Sequence, residues 1–123
     1  MTPAIAASIE DHRTIEAALD RLASAVASGH LDSEAFRNSR DLLTRHYERE
    51  SGLLAALAER DPALAAKLSA QHDEALEIAA QIEASLAAGQ PADALYLARR
   101  LLAIAQHNII EEERDVFPLF AKG

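Results

Sequence analysis

The sequence predicts an all-α fold, an up-down-up-down antiparallel four-helix bundle. Three observations predict it: an alanine-rich, aromatic-poor composition, apolar residues recurring at helical spacing, and three short breaks that cut the chain into four stretches of similar length. Of 123 residues, 28 are alanine and only 4% are aromatic. Ala, Leu, Glu, Arg and Gln lose least on entering a helix, whereas strands favour β-branched and aromatic side chains. The length suits one domain, residues 1–123, with one core.

The breaks are Ser28-Gly29-His30, Arg60-Asp61-Pro62 and Ala88-Gly89-Gln90-Pro91, each with the Gly or Pro chemistry that ends one helix and starts the next. The first segment, residues 2–28, opens on Thr2-Pro3 and repeats Ile5, Ile9, Leu19 and Val26 at helical spacing. The second, 32–60, opens on Asp32-Ser33 and carries Phe36, Leu43, Leu53 and Leu57. The third, 62–88, follows Asp61 and places Leu64, Leu68, Ala75, Ile82 and Leu86 on one face. The fourth, 91–121, offers Leu97, Leu101, Ile104 and Phe117, with Phe117-Pro118 expected to close the end of the bundle. Thr2, Asp32 and Asp61 are the expected N-caps. Helices of this length joined by short loops must be antiparallel neighbours. The loops are too short for a lid, so function is expected inside the bundle.

Composition removes several classes of function. The absence of cysteine excludes disulfide scaffolds, zinc-thiolate sites, iron–sulfur clusters and thiol nucleophiles. A net charge of −8 argues against nucleic acid or an acidic membrane surface as partner. No stretch approaches the ~20 apolar residues of a membrane span, and the start MTPAIAASIEDHR lacks the basic, then apolar, pattern of a secretory signal. The expectation is a soluble, cytoplasmic protein. No G-x-S-x-G elbow or phosphate-cradling glycine loop is present.

Polar residues interrupt the inward stripe midway along all four segments. His12 occupies the seven-residue series Ile5, His12, Leu19, Val26, and Glu50 the series Phe36, Leu43, Glu50, Leu57, with His46 one turn earlier. His72 lies one turn from Leu68 and Leu76, and His107 and Glu111 flank Ile104 and Ile110. Gly29 is 17 residues from both His12 and His46, while Gly89 is 17 residues from His72 and 18 from His107. At ~1.5 Å rise per residue these equal arms bring the four histidines to one height. His30, in a turn, falls outside that layer and is expected to be solvated.

Two His-x-x-x-Glu pairs, His46 with Glu50 and His107 with Glu111, place imidazole and carboxylate one above the other on a helix face. Without a cation such a layer would bury several polar groups, each costing about 1–3 kcal/mol if unsatisfied. Four imidazoles and two carboxylates exceed the needs of one tetrahedral zinc. Two ions, each with two histidines and sharing two carboxylates, divide the set evenly and keep positions open for water, an oxo or hydroxo bridge, or a small ligand. Mixed imidazole and carboxylate donors suit non-haem iron best, with manganese, or less well zinc, as a substitute.

The order His, His-x-x-x-Glu, His, His-x-x-x-Glu, with the phrases EDHRTIE, HYERE, QHDEA and HNIIEEERDVFPLF, resembles the hemerythrin-like (HHE cation-binding) family over nearly the whole chain. The resemblance implies a non-haem di-iron site in a left-handed four-helix bundle, with His12, His46, His72 and His107 as terminal ligands and Glu50 and Glu111 as bridges. Oxygen-carrying members have a further histidine where this chain has Leu76, and place the last carboxylate five residues after the histidine, which selects Glu112. Helix geometry prefers Glu111: four residues advance ~40° around the axis and five ~140°, so Glu112 needs a local bulge. Tyr47 resembles a tyrosine that some bacterial members place beside or on the iron; as a phenolate or hydrogen-bond donor it competes with a plain core role. Glu16, one turn from His12, is a candidate extra ligand or orienting acceptor.

The function expected from these residues is binding of dioxygen, peroxide or nitric oxide at an open di-iron site. The alternatives are an iron-responsive sensing module, an enzyme removing peroxide or nitric oxide, and a metal-free helical interaction protein. No residue is singled out as catalytic.

Overall fold

The computed structural model describes residues 2–121, and every element in it is helical: α1 (Pro3–Ala27), α2 (Ser33–Arg49), α3 (Ser51–Arg60), α4 (Pro62–Ala87), α5 (Pro91–Glu111), a π-helical turn over Glu112–Val116, and α6 (Phe117–Ala121). Among the described residues there is no strand, and no helix is long and apolar enough to cross a membrane.

The helix ends follow the local chemistry of the sequence. Thr2 Oγ1 accepts from the Ile5 amide at 3.2 Å, Asp32 Oδ1 from the amides of Glu34 and Ala35, and Asp61 Oδ1 from that of Leu64. Helices α1 and α4 close on glycines in the left-handed region, Gly29 at φ 81° and Gly89 at φ 69°. At each, the next residue bonds back five positions: the His30 amide reaches the Ala25 carbonyl at 3.1 Å, and the Gln90 amide reaches that of Ser85 at 2.9 Å.

Two of the four expected rods are interrupted. The segment 32–60 breaks at Glu50, which sits at φ −83°, ψ −3° between α2 and α3. The Ser51-Gly52 pair that follows explains the break, since Ser51 Oγ donates back to the Glu48 carbonyl at 2.9 Å and glycine stiffens nothing. The segment 91–121 widens into the π turn, where the Phe117 amide bonds the Glu112 carbonyl five residues back. Pro118 has no amide to continue an α ladder, and the wider turn accommodates that loss.

Helix α1 packs on α2 and α5, α4 on α3 and α5, and α2 on α4. The apolar core is in two parts. The larger includes Leu19, Leu22, Phe36, Leu43, Ile78, Ile82 and Leu101, and the smaller is Ile5, Leu57, Ala65, Leu68, Val116 and Phe117. Between them, at His12, His46, Glu50, His72 and Glu112, lies a buried polar layer.

The inward face of α5 differs from the expected stripe. Leu101, Ala105, Asn108 and Glu112 are buried, Ile104 is only half-buried, and Ile110 is exposed. Those buried positions advance by four, three and four residues, which is one helical face, and His107 lies off it.

A β-carbon at Gly89 meets nothing within 4 Å, so Gly89→Ala costs backbone strain alone. A loss of about 1 kcal/mol is expected, read as a lower urea midpoint with unchanged helicity. An unchanged or raised midpoint would refute the left-handed cap.

Candidate metal centre

Helices α1 and α2 bring two imidazoles together edge to face, with His12 Nε2 3.0 Å from His46 Nε2. Two carboxylates close on them. Glu112 Oε1 is 3.1 Å from His12 Nε2 and 3.9 Å from His46 Nε2; Glu50 Oε1 is 3.0 Å from His46 Nε2, and Glu50 Oε2 is 3.9 Å from His12 Nε2. His72 approaches from α4, its Nε2 2.9 Å from Glu112 Oε2 and 3.6 Å from Glu50 Oε1. All five side chains are nearly inaccessible to solvent. Among the described residues, His12, His46, Glu50 and Glu112 each offer a ligand atom within 4.8 Å of the others.

The far side of each facing imidazole is fixed as well. His12 Nδ1 is 2.8 Å from Glu113 Oε2, and Arg13 pairs with that same oxygen. His46 Nδ1 is 3.0 Å from Asp11 Oδ2, which also accepts from Arg49 at 2.8 and 2.9 Å. An ionised carboxylate only accepts, so both Nδ1 atoms carry the proton. With Nδ1 the donor on each ring, both Nε2 atoms face the two carboxylates, where a second proton or a metal cation must stand between nitrogen and oxygen. Both Glu50 oxygens lack a hydrogen-bond partner despite their burial. Such a constellation needs positive charge at its centre, and a cation bound by imidazole nitrogen and carboxylate oxygen supplies it.

The ionisation of these groups reflects the same demand. Burial alone would lower the His46 pKa, but the close approach of Glu112 and Glu50, with Asp11 behind, pushes it up to about 10. Burial likewise opposes ionisation of Glu112, yet His12, His46 and His72 hold its carboxyl far below the usual range. Glu50 is shifted up, by burial first and by the neighbouring Glu112 charge, with His46 opposing. Asp11 is lowered because His46 and Arg49 outweigh its burial.

Of the residues expected in the layer, His12, His46, Glu50 and His72 meet there and His107 and Glu111 do not. His107 is 60% exposed, one position off the buried face of α5, where Asn108 points inward instead and donates to Gln71 Oε1 at 2.9 Å. Glu111 is buried but occupied elsewhere. Lys67 Nζ donates to it at 2.6 Å and Gln71 Nε2 at 2.9 Å, and these partners lower its pKa. The carboxylate delivered to the centre is Glu112, and the π turn that begins there is the local bulge it requires.

Tyr47 is buried and stacks on His72, ring centroids 3.9 Å apart. Its hydroxyl has no hydrogen-bond partner, and burial together with the charges of Glu112 and Glu50 raises its pKa, so the phenol keeps its proton. Glu16 does not reach the layer. It pairs with Arg13 at 2.7 Å, and Arg13 in turn holds Glu113. Sequence reasoning missed Asp11 and Glu113, together with Arg13, Arg49, Lys67 and Gln71. Asp11 and Glu113 face partners 35 and 101 residues away, and no spacing within one helix signals such a pairing.

A buried His/Glu cluster in an all-helical chain defines a candidate cation-binding protein. The sequence matches the family described as hemerythrin HHE cation binding domain over residues 4–120, and the chain belongs to that family. No curated protein and no solved structure matches it.

Two outcomes test this geometry. Glu112→Gln is expected to abolish metal retention while Glu111→Gln leaves it near wild type, by metal analysis after gel filtration; the reverse order would contradict the placement. For the metal-stripped protein, the folded His46 pKa lies above its ordinary 6.5, so its contribution is full below about pH 6.5 and fades toward about pH 10. Glu112 lies below its ordinary 4.5 and contributes above that pH, fading as pH falls. Urea midpoints without metal should therefore peak between about pH 4.5 and 6.5 and decline on either side, and a midpoint rising steadily from pH 6 to 9 would be incompatible with it.

Proposed function

We propose that this chain is a hemerythrin-like non-haem di-iron protein that binds dioxygen, peroxide or nitric oxide. The observation that carries the reading is the convergence of His12 and His46, both fixed with Nε2 inward, on the buried carboxylates of Glu50 and Glu112. Helices that pack as neighbours across short connectors are read as an up-down-up-down bundle of four rods, two of them broken where they meet the centre. Mixed imidazole and carboxylate donors favour iron, with manganese or zinc as substitutes. Iron, when bound, supplies redox and Lewis-acid chemistry.

The chain's own residues provide the rest. Glu50 and Glu112 hold the negative charge that retains the cations, and Phe117, stacked on His12 at 5.2 Å, excludes water from that side. A cavity of about 270 Å³ between α2, α3 and α4 reaches Tyr47 and His72 from a mouth that includes Thr44, Glu48, Ser69 and Asp73. Tyr47 and His72 form its inner wall, and a diatomic or peroxide fits the space. With a net charge of −8, neither nucleic acid nor an acidic membrane is a proposed partner.

The polar layer that divides the core favours iron-responsive sensing as a second reading, because metal then contributes to folding itself. The two readings separate by experiment. Anaerobically iron-loaded protein is expected to hold about two irons per chain and to change its visible spectrum with peroxide or nitric oxide. Less than about one iron per chain after loading would overturn the metal reading. A large iron-dependent rise in melting temperature with no spectral response to either ligand would favour sensing, and catalytic loss of peroxide would mark an enzyme.

A further inference from the structure

The two sides of the centre are built differently. On one side, two imidazoles and two carboxylates converge, and each imidazole is backed by a carboxylate that is itself held by an arginine: Glu113 with Arg13, Asp11 with Arg49. On the other side there is a single imidazole. His72 shares the same two carboxylates, at 2.9 Å to Glu112 and 3.6 Å to Glu50, but its neighbours are the Tyr47 ring and the half-buried Leu76. The groups expected from the sequence to complete that side are committed elsewhere, with His107 in solvent and Glu111 bound by Lys67 and Gln71.

We propose that the centre comprises two unequal cation positions: a tight one at His12, His46, Glu50 and Glu112, held by Asp11 and Glu113 as positioning residues, and a weak, exchangeable one at His72. The proposal rests on the metal-centre reading above. A carboxylate accepting from imidazole Nδ1 fixes the tautomer and ring orientation and raises the basicity of the opposite nitrogen, and loss of such a partner costs about 10–100-fold in metal affinity. Arg13 and Arg49 keep those carboxylates aimed. The first cation therefore meets four preset donors, and the second meets one preset imidazole and oxygens already engaged by the first. The open side is also the one the cavity between α2, α3 and α4 reaches, so the second cation exchanges along that route.

The test is anaerobic titration of the metal-stripped chain with Co²⁺, followed by calorimetry and by the ligand-field absorption of the bound ion. Two binding phases are expected, the first at least about tenfold tighter. Asp11→Asn and Glu113→Gln should each weaken the first phase by about 10–100-fold and shift its absorption band at saturating cobalt, a signature that altered packing alone would not produce. His72→Ala should remove the second phase and leave the first band in place. Circular dichroism of each variant establishes that it is folded. Two ions bound with equal affinity, a first phase unmoved by both carboxylate changes, or loss of both phases in His72→Ala would overturn the inequality while leaving the metal centre standing. Failure of the unmodified chain to bind any cobalt or iron would overturn the metal centre itself.

Discussion

Everything in this fold is arranged around two carboxylates buried where apolar packing would otherwise be continuous. Glu50 and Glu112 lie between the two apolar clusters, nearly without solvent, and a buried negative charge persists only where positive charge or hydrogen bonds replace lost water. Three imidazoles partly meet that need. The cluster drives His46 toward protonation and keeps the Tyr47 hydroxyl from ionising. A metal cation held there would do the same work with fixed geometry.

The charge arrangement alternates outward from the centre. Carboxylates sit inside, imidazoles around them, carboxylates again at Asp11 and Glu113, and arginines at the surface. Exposed ion pairs of this kind add little to stability by themselves. Their value lies in orientation, because each outer pair determines which imidazole nitrogen carries the proton. Lys67 and Gln71 act similarly on Glu111, keeping a third negative charge out of a layer that already contains two.

Much of this was legible in the sequence, and the boundary of legibility is physical. Pro, Gly and Asp placed the helix ends at Thr2, Asp32, Asp61, Gly29 and Gly89, because caps and left-handed turns depend on a few adjacent residues. Equal arms counted from Gly29 and Gly89 put His12, His46 and His72 at one level with Glu50 one turn from His46, since regular winding carries a face faithfully over several turns. The last helix defeated that count. Extrapolating a 3.6-residue period put His107 and Glu111 inside, whereas Asn108 and Glu112 are the residues that turn inward and the winding itself changes at Glu112. The break at Glu50 escaped for a related reason: Ser51-Gly52 permits a bend without dictating one. Asp11 and Glu113 were invisible because their partners lie on other helices.

The π turn gives three consecutive glutamates three separate destinations. Glu111 goes to Lys67 and Gln71 on α4, Glu112 enters the centre, and Glu113 reaches His12 and Arg13 on α1. The final helix is thereby keyed like a splined shaft. It cannot roll about its own axis in either sense without unseating a neighbour on one flank or the other. Rolling that helix in either sense would move Glu112 against His12, His46 and His72.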